Sequence, residues 1–346
     1  MIRIRDISLA PEHEAGALLY EAAKALGVSA SEIQKLTIVR RSIDARKKPE
    51  VKVIYTVDAA LKSSENKILK RCRSKRVSVA PVNGYRVPQA PPREDRPVVI
   101  GFGPAGMFAA LVLALAGRRP IVLERGEDAL TRHQKVEAFW KTGKLDPRSN
   151  VQFGEGGAGT FSDGKLNTGV NNPRIGWILE QFVAAGARED ILFDAKPHVG
   201  TDVLLEVVQN LRRRIISLGG EVRFGCQVER LALDGSRLTG VVLTSGETVP
   251  CTQAILAIGH SARDTFESLL AQGVPMEPKP FAMGVRIEHR QEDIDAAQYG
   301  RPRGALPPAD YKLVQHLEDG TVYTFCMCPG GYVVAAALVQ VTEGHA

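Results

Sequence analysis

The stretch from Val98 to Glu124 admits few folds. Val98-Val99-Ile100 is a short apolar run, and Gly101-Phe102-Gly103-Pro104-Ala105-Gly106 follows it without a gap. Met107 to Ala116 is then almost wholly apolar, and Ile121-Val122-Leu123 ends at the acid Glu124, 18 residues after Gly106. Strand, glycine turn, helix, strand and terminal acid in that order form the βαβ unit that binds dinucleotides. Gly101 permits the tight turn, Gly103 lets the backbone approach a pyrophosphate, and Gly106 lets the helix pack closely on the strand. The helix start, where Pro104 and Ala105 lie, offers unpaired N–H groups from Ala105 onward and a positive dipole end to phosphates. Glu124 is placed to accept the ribose hydroxyls of an adenosine, with Arg125 beside it. A Gly-x-Gly-x-x-Gly string alone carries little weight; the order of elements around this one argues against a plain glycine turn.

A second cluster, Gly154-Glu155-Gly156-Gly157-Ala158-Gly159-Thr160, matches the same string. Its surroundings are wrong for a second such turn. Asp146 to Asn150 ahead of it is polar, and Phe161 to Leu166 after it is not an apolar helix. It reads as a loop whose backbone, at Gly156, Gly157 and Gly159, lies against a flat ligand. Beyond it, Ile175–Ala185 and Thr201–Leu218 read as helices. Glu221–Gly225 is a strand, and Val228–Leu233 and Leu238–Thr244 form a hairpin about Asp234-Gly235. Glu247–Cys251 completes a meander, and Ala254–Ile258 returns as an apolar strand closed by Gly259. No further nucleotide fingerprint occurs, so NAD(P)H is a candidate only as a transient reductant.

The order Gly101–Gly106, Glu124-Arg125, Gly156–Leu166 and Ala254–Asp264 resembles the glutathione-reductase-like superfamily of FAD-dependent oxidoreductases. Gln152 to Leu166, Pro280 to His289 and Cys326-Met327-Cys328-Pro329-Gly330-Gly331 look like a bacterial family of uncharacterised FAD-dependent dehydrogenases. The resemblance covers nearly the whole chain. It implies FAD as cofactor, electron-pair or hydride transfer to an unknown small-molecule substrate, and an α/β fold. That fold comprises a Rossmann-type FAD-binding domain with a β-meander insertion, a small N-terminal α+β domain and a partial substrate domain. One departure stands out. The superfamily's apolar strand ending in Gly-Asp near the flavin is not found after Gly259. Residues 335–346 do not look like the family's continuation, so the chain reads as C-terminally truncated.

The domain limits expected are 1–76 for a basic N-terminal unit, 77–96 for a proline-rich linker, 97–274 for the FAD-binding unit and 275–346 for a partial cap. Within the first, residues 2–9 read as a strand and Pro11 opens a helix that Gly27 ends. Ser31–Leu36 reads as a short helix, and Thr37–Ala45 and Val51–Leu61 as a hairpin across Lys47-Lys48-Pro49-Glu50. Ser63–Arg73 returns to helix. Net charge is +6, unevenly placed. Residues 1–96 carry 20 Lys and Arg against 11 Asp and Glu, hence +9; the remainder carries 25 against 28, hence −3. A solvated lysine-rich surface accounts for this more simply than nucleic-acid binding, since no nucleic-acid-reading motif accompanies the charge. A flavin-dependent RNA-modifying enzyme is nevertheless the alternative that it motivates, and a non-catalytic FAD-binding protein is another.

No run approaches the ~18 apolar residues of a membrane span. Met1–Asp6 alternates like a strand and lacks the apolar core of a signal peptide, and the five cysteines form no disulfide framework. A cytoplasmic protein of undetermined oligomeric state is expected. Catalytic candidates are few. Lys165 could set a positive charge near flavin. His260 follows a sheet strand at the end where ligands collect, and His289 is a candidate proton donor. Cys326 and Cys328 read as a structural pair or a redox pair, and two thiols without partners argue against a metal site.

Overall fold

The computed structural model describes residues 1–81, 84–91, 93–161, 164–166, 168–325 and 327–336. The first residues build an antiparallel sheet. β1 (Ile2–Leu9) is followed by α1 (Ala17–Leu26), β2 (Ile33–Asp44), β3 (Lys52–Leu61), α2 (Glu65–Arg71) and β4 (Val77–Val79). The sheet order is β2-β3-β1-β4. One face buries Ile2, Ile4, Val57 and Ala59 against Ala22, Ala23 and Leu26 of α1. The two-residue alternation of β3 sets this core.

Three expectations change here. α1 starts at Ala17, not at Pro11, because Gly16 ahead of it takes a left-handed conformation (φ 97°) that no helix continues. Ser31–Leu36 is not a helix. A single 3-10 turn, Ala30–Glu32, leads straight into β2, whose Ile33 and Leu36 pair with Leu61 and Ala59 of β3. The cross-strand pairing outweighs local propensity. Residues 77–79 are not linker but β4, which pairs antiparallel with β1 through Ile2 and Val79.

The second sheet is parallel. β5 (Val98–Ile100), α3 (Pro104–Leu115) and β6 (Ile121–Leu123) form the expected unit. α4 (Ala129–Thr142), α5 (Arg174–Ala184) and α6 (Thr201–Ser217) lie between β6 and β7 (Glu221–Arg223). β8 (Val228–Asp234), β9 (Arg237–Leu243) and β10 (Thr248–Pro250) form the meander, and β11 (Ala254–Leu256) returns to the parallel sheet, followed by α7 (Arg263–Ala271). The order is β11-β5-β6-β7, all parallel, with the meander as a separate sheet of order β10-β9-β8. α3 buries Met107, Ala110, Leu111 and Ala114 in a core shared with Val207, Leu211 and Ile215 of α6. α3 is apolar on almost every face because it lies between the sheet and that helix.

α8 (Gln291–Tyr299) and the hairpin of β12 (Val314–His316) and β13 (Thr321–Tyr323) close the described chain. Tyr299, Leu306 and Ala309 bury themselves against Val51 of the N-terminal unit. The stretch around His289 is not a strand. Residues 275–290 carry no regular structure, and Phe281, Met283 and Val285 are exposed. Among the described residues no helix is long and apolar enough to cross a membrane.

Candidate functional site

A cleft of about 470 Å³ opens at the C-terminal ends of β5, β6 and β11, where ligands of open parallel sheets bind. The glycine turn forms one wall. Gly101 has φ 96°, and a Cβ there would stand 2.4 Å from the carbonyl oxygen of Ala257. A Cβ on Gly106 would stand 1.9 Å from the carbonyl oxygen of Gly101. These two glycines serve the fold itself, one in turning the chain and one in seating α3.

Gly103 is different. Its φ is −73°, and the nearest atom to a Cβ there is the Cα of Gly157, at 3.7 Å. The fold alone does not require glycine at this position. Space kept clear beside the start of α3, in front of its unpaired first-turn N–H groups, is what a pyrophosphate needs. Pro104 sits at the first helical position, where its missing N–H costs nothing. The residues present therefore fit a dinucleotide.

Gly157 comes from the second glycine cluster and lines the same cleft. The cluster is anchored, with Gly154, Glu155, Gly156 and Thr160 buried and Ala158 exposed. Arg132 of α4 is wholly buried beneath it and donates to the carbonyl oxygens of Asn150 (2.7 Å), Val151 (2.9 Å) and Glu155 (2.6 Å). Its guanidinium carbon lies 4.8 Å from the centre of the Phe161 ring. Burial pushes the Arg132 pKa down to about 10, against the opposing pull of Glu124 and Glu155, so the side chain stays charged at neutral pH. A Cβ on Gly154 would strike the Arg132 side chain at 2.4 Å, and one on Gly156 would meet the Thr160 hydroxyl at 2.4 Å. Those two glycines make room for the anchor. A Cβ on Gly159 meets nothing within 4 Å. Composition gave no sign that Arg132 is interior, since it sits in a polar helix.

Glu124 lines the cleft but is already engaged. Its Oε2 accepts the N–H of Phe102 (2.6 Å), and its Oε1 accepts those of Gly126 and Gly154 (2.9 Å each). A carboxylate has about four lone-pair sites, so capacity for a further donor remains. Arg125 stacks on Phe153 (4.4 Å) and donates to Asp264 and Thr265 of α7, both at 2.9 Å. Burial pushes the Asp264 carboxyl up, but the bond and charge of Arg125 outweigh it and hold the group below its usual value.

Gly101, Gly103, Pro104, Ala105, Glu124, Arg125, Gly157, Gly259 and His260 thus share one cleft, with Gly106 and Gly156 behind its wall. Lys165 does not join them; it lines a second cleft. His289 is exposed, bonded to the Tyr311 hydroxyl at 2.9 Å and outside both clefts, so nothing marks it as a proton donor. Cys326 lies outside the described residues, and Cys328 lines neither cleft. Among the described residues no group of three His, Cys, Asp or Glu side chains comes together to hold a metal.

Comparison with known proteins adds the following. Residues 280–343 match the family of the FAD-dependent protein, C-terminal domain-like, and residues 1–60 match a domain of unknown function. An uncharacterised protein of Clostridium beijerinckii is 46% identical over 343 residues, covering 97% of this chain. The chain spans 64% of that relative's length. Among solved structures, a glycine oxidase of Bacillus cereus is 13% identical, covering 50% of this chain and 58% of that one at a TM-score of 0.34. A ferredoxin reductase of Rhodopseudomonas palustris is 18% identical, covering 53% and 28% at a TM-score of 0.25. Residues 280–343 are thus similar to the C-terminal part of an FAD-dependent family, and the chain shares nearly its whole length with the Clostridium protein.

Proposed function

We propose that this chain binds FAD in the cleft at the ends of β5, β6 and β11 and belongs to an oxidoreductase acting on a small molecule. The observation that carries the reading is Gly103, a glycine that the fold does not need and a pyrophosphate does. The turn Gly101–Gly106 and the start of α3 would hold the pyrophosphate. Glu124 and Arg125 would hold the adenosine end, and Gly157 and Gly259 flank the cleft between them. Flavin bound there would supply a two-electron redox centre. His260 lies at the same cleft, exposed and 3.5 Å from the Ser261 hydroxyl, and is the side chain best placed to meet a ligand's polar edge. NAD(P)H is proposed only as a transient reductant, because no second fingerprint accompanies the first.

The test is a fluorescence titration of FAD with the purified chain, followed by anaerobic reduction with NADH or NADPH under an absorption spectrum. Saturable quenching that Gly103→Val abolishes supports the reading. Equal flavin uptake by parent and variant overturns it.

A further inference from the structure

A second cleft, of about 800 Å³, lies where three distant stretches of chain meet: β2 with β3, residues 194–198, and residues 298–310. The dinucleotide reading makes no use of it. It is firmly built. Arg41 of β2 places Nε and Nη2 on the two oxygens of Asp194, at 2.6 and 2.8 Å. Its backbone N–H donates to the Phe193 carbonyl (2.7 Å), and its own carbonyl accepts from Ala195 (2.9 Å). Lys196 Nζ meets Asp310 at 2.5 Å, and Lys48 Nζ meets the Ala297 carbonyl at 2.5 Å. Tyr299, Leu306 and Ala309 pack on Val51. Side-chain pairs, backbone pairing and a small apolar core therefore hold all three stretches together.

The lining is cationic. Among the described lining residues, Arg40, Arg41, Lys165 and Lys196 stand with two carboxylates, Asp194 and Asp310, which are paired with Arg41 and Lys196. The fork on Asp194 leaves Nη1 of Arg41 without a hydrogen bond among the described residues, and the bond to Asp194 raises the Arg41 pKa further above its already high value. The Arg40 guanidinium has no ion-pair or hydrogen-bond partner among the described residues. Tyr55 adds a polar edge, its hydroxyl 3.4 Å from Nε2 of His13. Burial pushes the Tyr55 pKa up, so it is a neutral donor at physiological pH.

We propose that this second cleft binds a small organic anion bearing carboxylate or phosphate groups, with the N-terminal unit supplying its cationic wall. A cleft with surplus positive charge and low-dielectric sides concentrates anions. Planar guanidinium groups suit carboxylate and phosphate oxygens, and uncommitted ones bind them without first breaking an internal pair. The volume is that of a small-molecule site, typically ~300–1,000 Å³. The proposal gives a purpose to part of the +9 charge of residues 1–96. It goes beyond the flavin reading and stands without it. The two clefts are nevertheless linked, because the loop bearing Gly157 on the first continues to Lys165 on the second, where residues 164–166 pair with 197–199.

The test is isothermal titration of the flavin-free chain with succinate, citrate and glycerol 3-phosphate, at ionic strength held constant with KCl. At least one of these is expected to bind with a Kd below about 1 mM. Arg40→Ala should weaken that binding about tenfold or more, the scale of a lost charged hydrogen bond. Lys165→Ala should weaken it in the same direction. Arg290→Ala, which removes an exposed cation outside the cleft that is paired with Glu292, should leave it unchanged. Binding of the carboxylates alone, or of the phosphate alone, supports the proposal and assigns the group. No heat with any of the three at about 10 mM overturns it, as does equal binding by all three variants. Tighter binding of a short single-stranded RNA that Arg40→Ala weakens also overturns it, in favour of a nucleic-acid surface. Flavin is absent throughout, so failure here is separate from failure of the FAD reading.

Discussion

The Glu124 carboxylate accepts the backbone N–H of Gly154 at 2.9 Å, joining the end of β6 to a loop 30 residues further on. The same side chain holds Phe102 of the first glycine turn. Both glycine segments are therefore tied to one buried acid before any ligand arrives. Glu124→Ala should lower the stability of the flavin-free chain, because it strands three buried N–H groups at about 1–3 kcal/mol each, less whatever water recovers. Glu124→Gln keeps one oxygen and should fall between. Flavin affinity should drop in both variants. Chemical unfolding without flavin checks this, and unchanged midpoints in both variants would show that the bonds contribute nothing net.

The three glycines of the fingerprint should separate by assay. Gly101→Ala forces a Cβ to within 2.4 Å of a backbone oxygen at a positive φ, and Gly106→Ala places one within 1.9 Å of another backbone oxygen. Both should fold poorly or melt many degrees lower, since backbone strain of this kind costs several kcal/mol. Gly103→Ala meets only an ordinary contact at 3.7 Å. It should fold within about 1 kcal/mol of the parent and yet bind FAD weakly. Thermal melts beside flavin titrations distinguish the two classes. Three variants with the same melting loss would remove the special standing given to Gly103.

Much of the nucleotide unit was legible because its determinants are local. The β5-turn-α3-β6 order lies within Val98–Glu124, and the meander follows from short-range alternation and the Asp234-Gly235 turn. What escaped depends on contacts between distant segments. β4 looks like linker until Val79 is set beside Ile2. Ile33 and Leu36 look helical until β3 pairs with them. Arg132 gives no local sign of burial; only the carbonyls of residues 150–155, folded back over it, make an interior arginine tolerable. That Lys165 lines the second cleft depends on its neighbour in space, residue 198, which is far along the chain.

Arg41 and Asp194 hold the N-terminal sheet to the body of the chain through a part-buried fork with a flanking backbone pair. Their coupling should lie at the upper end of that of surface pairs, about 1 kcal/mol. A double-mutant cycle of Arg41→Ala and Asp194→Ala in urea unfolding measures it. High salt should reduce it, since both side chains retain some solvent contact. A coupling indistinguishable from zero would leave the apolar contacts of Val51, Tyr299 and Leu306 as the attachment.

Glu155 gives a pH dependence whose sign is fixed by its surroundings. It is wholly buried, and its Oε2 accepts the Ala129 N–H at 2.8 Å at the start of α4. Burial raises its pKa, outweighing the Ala129 bond and the charge of Arg212, whose Nε stands 3.4 Å from Oε1. In the unfolded chain the group titrates near its ordinary value of about 4.3. Between that value and its raised folded value, the folded state binds more protons than the unfolded state. Stability therefore falls as pH rises through this window. The contribution is fully present below about pH 4 and is lost once pH exceeds the folded pKa. Glu155→Gln keeps an acceptor for Ala129 and removes the ionisation, so it should flatten that part of the profile. The measurement is the urea midpoint of parent and variant from about pH 4 to pH 8. The parent should lose stability relative to Glu155→Gln as pH rises. Parallel profiles would mean that Arg212 compensates the buried charge in full and that the carboxyl is ionised across the range.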